Sequence, residues 1–168
     1  MEPSILQRVE RLEARNQIMR MESRYCQYWD ESNGLGWASL FTERGYFERV
    51  DLPGRPGHVQ RGRHDLRDFC QRLQAGYGRI HMLHTVDIEV HDEDSASSRI
   101  TFECMVTSTG RFPKSGLVTG YYNTEYSRVN GSWLIAARRE RQVFFSESAY
   151  YGVTVDEADP GCTEASVG

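Results

Sequence analysis

At 168 residues, with 39% hydrophobic and 26% charged side chains, the chain is sized for one domain with a real core and is not of disordered composition. A net charge of −4, with no basic patch interleaved with aromatics, argues against a nucleic-acid partner. No apolar run approaches the ~20 residues of a membrane span. Met1-Glu2-Pro3-Ser4 lacks the charged-then-apolar order of a signal peptide. Cys26, Cys70, Cys104 and Cys162 are scattered without ligand spacing, so free thiols, no metal and a reducing cytoplasm are the expectation.

Ser4 caps a helix from Ile5, and Gln7 completes a capping-box pattern. Ile5, Leu6, Val9, Leu12, Ile18, Met19, Tyr25, Cys26 and Trp29 follow at helical spacing until Ser32-Asn33-Gly34 stops the pattern. This is one long helix with a possible break near Asn16, whose first turns carry a narrow apolar stripe suited to a neighbouring subunit or simply fraying. Residues 36–41 read as a short helix, 46–50 as a strand, and Pro53-Gly54-Arg55-Pro56-Gly57 as a turn. A third helix fits 64–73, with Leu66, Phe69, Cys70 and Leu73 on one face and Gly76 and Gly78 ending it.

Strands follow. Arg79 to Val90 alternates cleanly from Met82 and is β-branched in its second half. Strict parity puts Met82, His84, Val86, Ile88 and Val90 on one face, and His81, Leu83, Thr85, Asp87 and Glu89 on the other. The two histidines therefore face opposite ways unless a bulge re-aims them. A turn at Asp92-Glu93-Asp94-Ser95 leads to a strand over 99–107, a loop over 110–116 and a strand over 118–129. Asn130-Gly131 is the strongest hairpin signal, and 133–145 returns as the last strand. The domain is expected to span 1–155, with 156–168 as a flexible tail. Helices first and a meander of long strands after them give an α+β domain. Its curved sheet should close over the long helix around an apolar cavity.

Tyr25-x4-Asp30, Trp37-x2-Leu40-Phe41, His81-Met82-x-His84-Thr85 and Glu125-Tyr126-x3-Asn130-Gly131-x-Trp133 together resemble the SnoaL-like branch of the NTF2-like superfamily, from about residue 18 to 145. Within it the chain is most similar to scytalone dehydratases, bile-acid 7α-dehydratases and hexachlorocyclohexane dehydrochlorinases. The resemblance implies a catalytic pair of Asp30 and His81, with Tyr25 as a hydrogen-bond donor or acid. It also implies substrate contacts at Tyr122, Arg138, Cys104, His84 and Trp29. Three positions matter for the chemistry. Cys104 stands where the bile-acid enzymes keep an aspartate, and Tyr25 where the dehydrochlorinases keep a lysine. Arg138 matches the latter's arginine, which suits an anionic group.

Each residue also has a plainer reading. His81 fits a hydrogen-bonded structural histidine, Asp30 a helix-end residue, Tyr25 a core tyrosine and Arg138 a solvated ion-pair residue. What the resemblance implies is a cofactor-free dehydratase, isomerase or cyclase acting on a mid-sized apolar ring compound, as a homo-oligomer with a trimer preferred over a dimer. The competing reading is a binding or assembly module, such as the β subunit of a ring-hydroxylating dioxygenase.

Overall fold

The computed structural model describes residues 4–50, 56–72, 77–108 and 115–146. Helix α1 (Ile5–Asp30) starts at the expected capping box: Ser4 Oγ accepts from the Gln7 N–H at 3.2 Å, and Gln7 Oε1 accepts from the Ser4 N–H at 2.9 Å. It runs unbroken past Asn16, because nothing in 14–18 removes a helical hydrogen bond. Ser32, at φ 61°, ends the turn that follows it. Asn33 then caps α2 (Gly34–Ser39) by accepting from the Gly36 N–H at 2.8 Å.

Strand β1 (Phe41–Arg49) begins five residues before the expected start, since its first half, Thr42-Glu43-Arg44, has no alternation to reveal it. The Ile135 N–H donates to Leu40 O at 2.8 Å and draws this segment onto the last strand. A four-residue strand, β2 (His58–Arg61), precedes α3 (Gly62–Arg72) and has no counterpart in the sequence reading. The expected end of this helix, at 73–76, lies outside the described residues. Four long strands complete the chain: β3 (Tyr77–Val90), β4 (Ser95–Ser108), β5 (Ser115–Val129) and β6 (Ser132–Ser146). Asn130 and Gly131 both have positive φ, 51° and 79°, as the tight hairpin between β5 and β6 requires.

The six strands form one sheet in the order β2-β1-β6-β5-β4-β3. All neighbours are antiparallel except β1 and β6, which are parallel. The C-terminal half of α1 packs on the inner face through Ala14, Ile18, Met21, Tyr25 and Cys26. Ile5, Leu6, Val9 and Leu12 stay exposed. Aromatic rings fill the space between α1, α2, β1 and α3: Trp37 lies 4.7 Å from Trp29, 5.0 Å from Phe41 and 5.4 Å from Tyr25.

Strict parity fails in β3. Leu83 pairs with Phe102 and Val86 with Ile100, so three steps on β3 match two on β4. This bulge at His84-Thr85 puts Leu83 on the core side together with Val86, Ile88 and Val90. His81 joins that inner face, and His84 is turned outward. No helix of the described residues is long and apolar enough to cross a membrane.

Candidate functional site

The end of α1 and the start of β3 meet where the sequence placed its two key residues. Asp30 Oδ2 accepts from the main-chain N–H of His81 at 2.8 Å, and Oδ1 lies 2.5 Å from His81 Nδ1. One carboxylate thus fixes both the backbone and the ring of the histidine. The His81 side chain is 6% exposed and that of Asp30 is 17% exposed, so the pair is largely shielded from bulk water. With Nδ1 turned to Asp30, the ring nitrogen left for other work is Nε2.

Cys104 stands opposite His81 in the β3–β4 register, with Sγ 3.6 Å from Nδ1. Burial pushes its thiol pKa up, and the Asp30 and Glu140 carboxylates add to the effect, so it stays a thiol. Phe102 follows two residues earlier on β4, 6.0 Å from the His81 ring. It stacks on Tyr122 at 4.3 Å and 12°, and Tyr122 meets Tyr25 edge-on at 5.8 Å. Histidine, phenylalanine and two tyrosines therefore make a continuous aromatic wall. Burial raises the pKa of both tyrosine hydroxyls, which remain protonated donors.

Arg138 lies below this wall and is fully buried. Its guanidinium sits 3.9 Å from the Tyr25 ring centroid and 4.8 Å from that of Tyr122. Nε donates to Thr124 Oγ1 at 3.0 Å, and Nη2 donates to Glu22 Oε1. Glu22, also fully buried, accepts from the Tyr126 hydroxyl at 2.7 Å as well. Burial works against the charge on Arg138, and Glu22 together with Tyr25, Tyr126 and Tyr122 more than offsets it, so its pKa ends up raised. The solvated ion-pair residue read from the sequence is an ion-pair residue, but a buried one that ties β6 to α1. Glu22 was missed, because a lone glutamate among polar helix residues carries no sign of burial.

Two further positions lie apart from the dyad. His84 is turned to the outer face, where Nε2 lies 3.2 Å from Glu103 Oε2 and half the side chain is exposed. The bulge that brings His81 inward sends it there, so it is not among the residues gathered at the site. Trp29 packs in the aromatic cluster against Trp37 and Phe69, with the Arg79 guanidinium 5.5 Å from its ring centroid.

Glu140 was also missed. It pairs with Tyr122 on β5 and with Arg49 on β1, and its Oε1 accepts from Gln142 Nε2 at 2.7 Å. Burial raises its pKa; the Gln142 hydrogen bond, His81, Arg49 and Arg138 pull the other way without prevailing. Yet part of the side chain remains accessible. Its register partner Tyr122 places it on the inner face of the sheet.

Residues 73–76, 109–114 and 147 onward lie outside the described residues, and the apolar cavity expected from the sequence is described only through the side chains above. A polar groove of about 350 Å³ lies elsewhere, lined by Asp87, Arg99, Asn123 and Arg139, and takes in none of these groups. Cys26, Cys70 and Cys104 are free and buried, and Cys162 lies outside the described residues. Among the described residues no three His, Cys or carboxylate side chains converge as metal ligands would.

The profile of the SnoaL-like domain matches residues 10–139. The chain belongs to the SnoaL-like family. A Mycobacterium tuberculosis protein of unknown function, solved as an aspartate-to-asparagine variant, shares 31% identity with it. That match covers 89% of this chain and 83% of the other, with a TM-score of 0.67. A type 2 hexachlorocyclohexane dehydrochlorinase is 20% identical over 91% of this SnoaL-like chain and 98% of its own, with a TM-score of 0.75. A scytalone dehydratase candidate from Novosphingobium aromaticivorans is 21% identical over 84% and 91%, with a TM-score of 0.72. These last two likenesses establish the fold, which is NTF2-like. No curated protein matches the chain.

Proposed function

We propose that this SnoaL-like protein is a cofactor-independent acid–base enzyme, with His81 as its base, acting on a mid-sized and largely apolar ring compound. The observation that carries this reading is the two-point grip of Asp30 on His81. A neutral imidazole whose Nδ1–H is donated to a carboxylate presents Nε2 as a proton acceptor, and the carboxylate stabilises the imidazolium that forms. A purely structural histidine does not need its ring and its backbone held by the same carboxylate.

The substrate follows from the wall. Phe102 and Tyr122 offer flat apolar contact, and the tyrosine hydroxyls supply donors for an oxygen that gains charge. His81 removes a proton from a carbon beside a carbonyl group, which is the first step shared by dehydration, double-bond isomerisation and several ring closures. Asp30 orients it. Tyr25 and Tyr122 face the oxygen, while Arg138 supports both rings from beneath. The catalytic unit is one domain over 1–155, with 156–168 as an appended tail. The exposed Ile5, Leu6, Val9 and Leu12 on α1 fit a homo-oligomeric assembly, with a trimer preferred, that light scattering at micromolar concentration would reveal.

The test is a single-turnover assay on cyclic ketone and hydroxy-ketone substrates, with thermal melting as the folding control. His81→Ala should slow turnover by about 10²–10⁴, the usual scale of acid–base assistance. Asp30→Asn should slow it with little change in substrate affinity. Unchanged turnover in His81→Ala removes this histidine from the chemistry. An assembly or binding module would have no turnover to lose.

A further inference from the structure

Helix α1 carries two apolar faces. Ala14, Ile18, Met21 and Tyr25 lie against the chain's own sheet and are buried. Ile5, Val9, Leu12 and Met19 are exposed, and so is Asn16. At about 100° per residue these five fall within about 40° of one line, on the side of the helix opposite the buried face. The steps between them are four, three, four and three residues, the heptad spacing of a coiled-coil seam. Along the first turns the polar side is the one turned towards the chain's own sheet. Gln7, Glu10 and Arg11 line a cleft of about 890 Å³ whose other wall includes Asp92, Glu93 and Arg128. A helix that served its own domain alone would carry the opposite pattern there, so the exposed line is addressed to something outside the protomer.

Asn16 interrupts an otherwise apolar line, at the heptad position it shares with Val9. An amide has both donors and an acceptor, so another Asn16 satisfies it, whereas an apolar partner would leave it desolvated and unpaired. Parallel helices in register bring each seam residue to its own copy, and a single asparagine at this kind of position is what fixes such a register. The flanking charges agree. In that register Arg8 of one copy stands beside Glu13 of the next. Antiparallel helices would instead set Arg8 and Arg15 against one another, which like charge opposes. Arg15 meets Arg20 in the parallel register, and beyond Met19 the line continues as the exposed Ser23 and Gln27, so the seam ends there.

We propose that α1 of one copy packs on α1 of a second copy as a parallel coiled coil over residues 5–19, with Asn16 setting the register. This rests on the homo-oligomeric reading above and gives that assembly its contact surface and its axis. The helix is already fastened to its own sheet through Ala14, Ile18, Met21, Tyr25 and Cys26. The unfavourable nucleation of a short helix is therefore met before association, and a seam of about two heptads suffices. The seam ends about three helical turns before Asp30, which leaves each Asp30–His81 pair within its own protomer.

Disulfide trapping of the full chain reads the geometry directly. In a Cys162→Ser background the remaining cysteines are buried, so an introduced thiol reports its own surroundings. Val9→Cys and Asn16→Cys should each give a covalent dimer under mild oxidation, because facing seam positions lie within disulfide reach. Gln17→Cys, off the seam, should not. An antiparallel pair crossing at Asn16 would hold the two copies of residue 9 about 21 Å apart, so trapping at 16 without trapping at 9 overturns the parallel arrangement. Sedimentation velocity at micromolar concentration supplies the mass. Leu12→Glu changes a side chain exposed in the protomer, so it should keep the fold by circular dichroism and weaken association at least about 10-fold, since it desolvates a charge in the seam. An oligomer that Leu12→Glu leaves intact, with no trapping at 9 or 16, overturns the coiled coil and spares the homo-oligomer. A monomeric wild type that is not trapped at either position overturns both, and leaves the exposed line to a different protein.

Discussion

Replacing Glu22 by Gln is the sharpest test of how the helix is fastened beneath the site. Glu22 and Arg138 are both fully buried, and Glu22 Oε1 serves Arg138 Nη2 and the Tyr126 hydroxyl together. Gln keeps the shape and one acceptor oxygen, so what disappears is the negative charge. An uncompensated guanidinium then stays buried between two aromatic rings, a situation that costs about 3–5 kcal/mol. Against the usual net stability of about 5–15 kcal/mol this is a large fraction. It corresponds to a fall of roughly 6–20 °C in Tm for a chain of this length, at about 2–4 °C per kcal/mol. Urea unfolding followed by tryptophan fluorescence should show a lower midpoint with an unchanged slope. Replacing both partners, Glu22→Leu with Arg138→Met, should recover most of the loss, because no charge is then left buried. A loss below about 1 kcal/mol, the range of exposed pairs, would refute the picture of a desolvated pair.

Two further outcomes are expected. Burial raises Glu140 above its ordinary 4.5, so the folded chain holds that proton more tightly than the unfolded one. Its contribution is complete below pH 4.5 and is lost as pH rises through the folded value. Urea titrations should therefore show the wild type losing stability relative to Glu140→Gln as pH rises, and a wild type that gains on the variant with rising pH would contradict it. A Cβ at Gly120 would lie 2.2 Å from Arg141 O, at the irregular β5–β6 pairing behind Phe102. Gly120→Ala should therefore lower the melting temperature by several degrees, and an unchanged melting curve would show that the strands can separate there.

Much of the fold was legible because its signals are local. The capping box, the Asn130-Gly131 turn and the long alternating strands each depend on neighbours in sequence. The contact between Asp30 and His81 was legible through the resemblance to the SnoaL-like branch. The rest depends on distant partners. The bulge at His84-Thr85 has no residue signature of its own, and it reversed the face of Leu83 against that of Val86. Glu22 and Glu140 sit among polar and charged neighbours that suggest a solvated face. Only the closing of the sheet over α1 buries the first and turns the second inward. Strand β2 has four residues and a half-exposed pattern, too short for periodicity to show.

The central claim is that His81 offers an unprotonated Nε2 while Asp30 holds Nδ1. Nitrogen NMR on ring-labelled histidine, with His81 assigned by comparison with His81→Ala, measures that directly and needs no substrate. With Nε2 as the base, the spectrum should show a neutral ring with its proton on Nδ1, directed at Asp30, and a change in tautomer balance in Asp30→Asn. A neutral ring protonated on Nε2 would leave no base facing the wall of Phe102 and Tyr122, and would contradict the account.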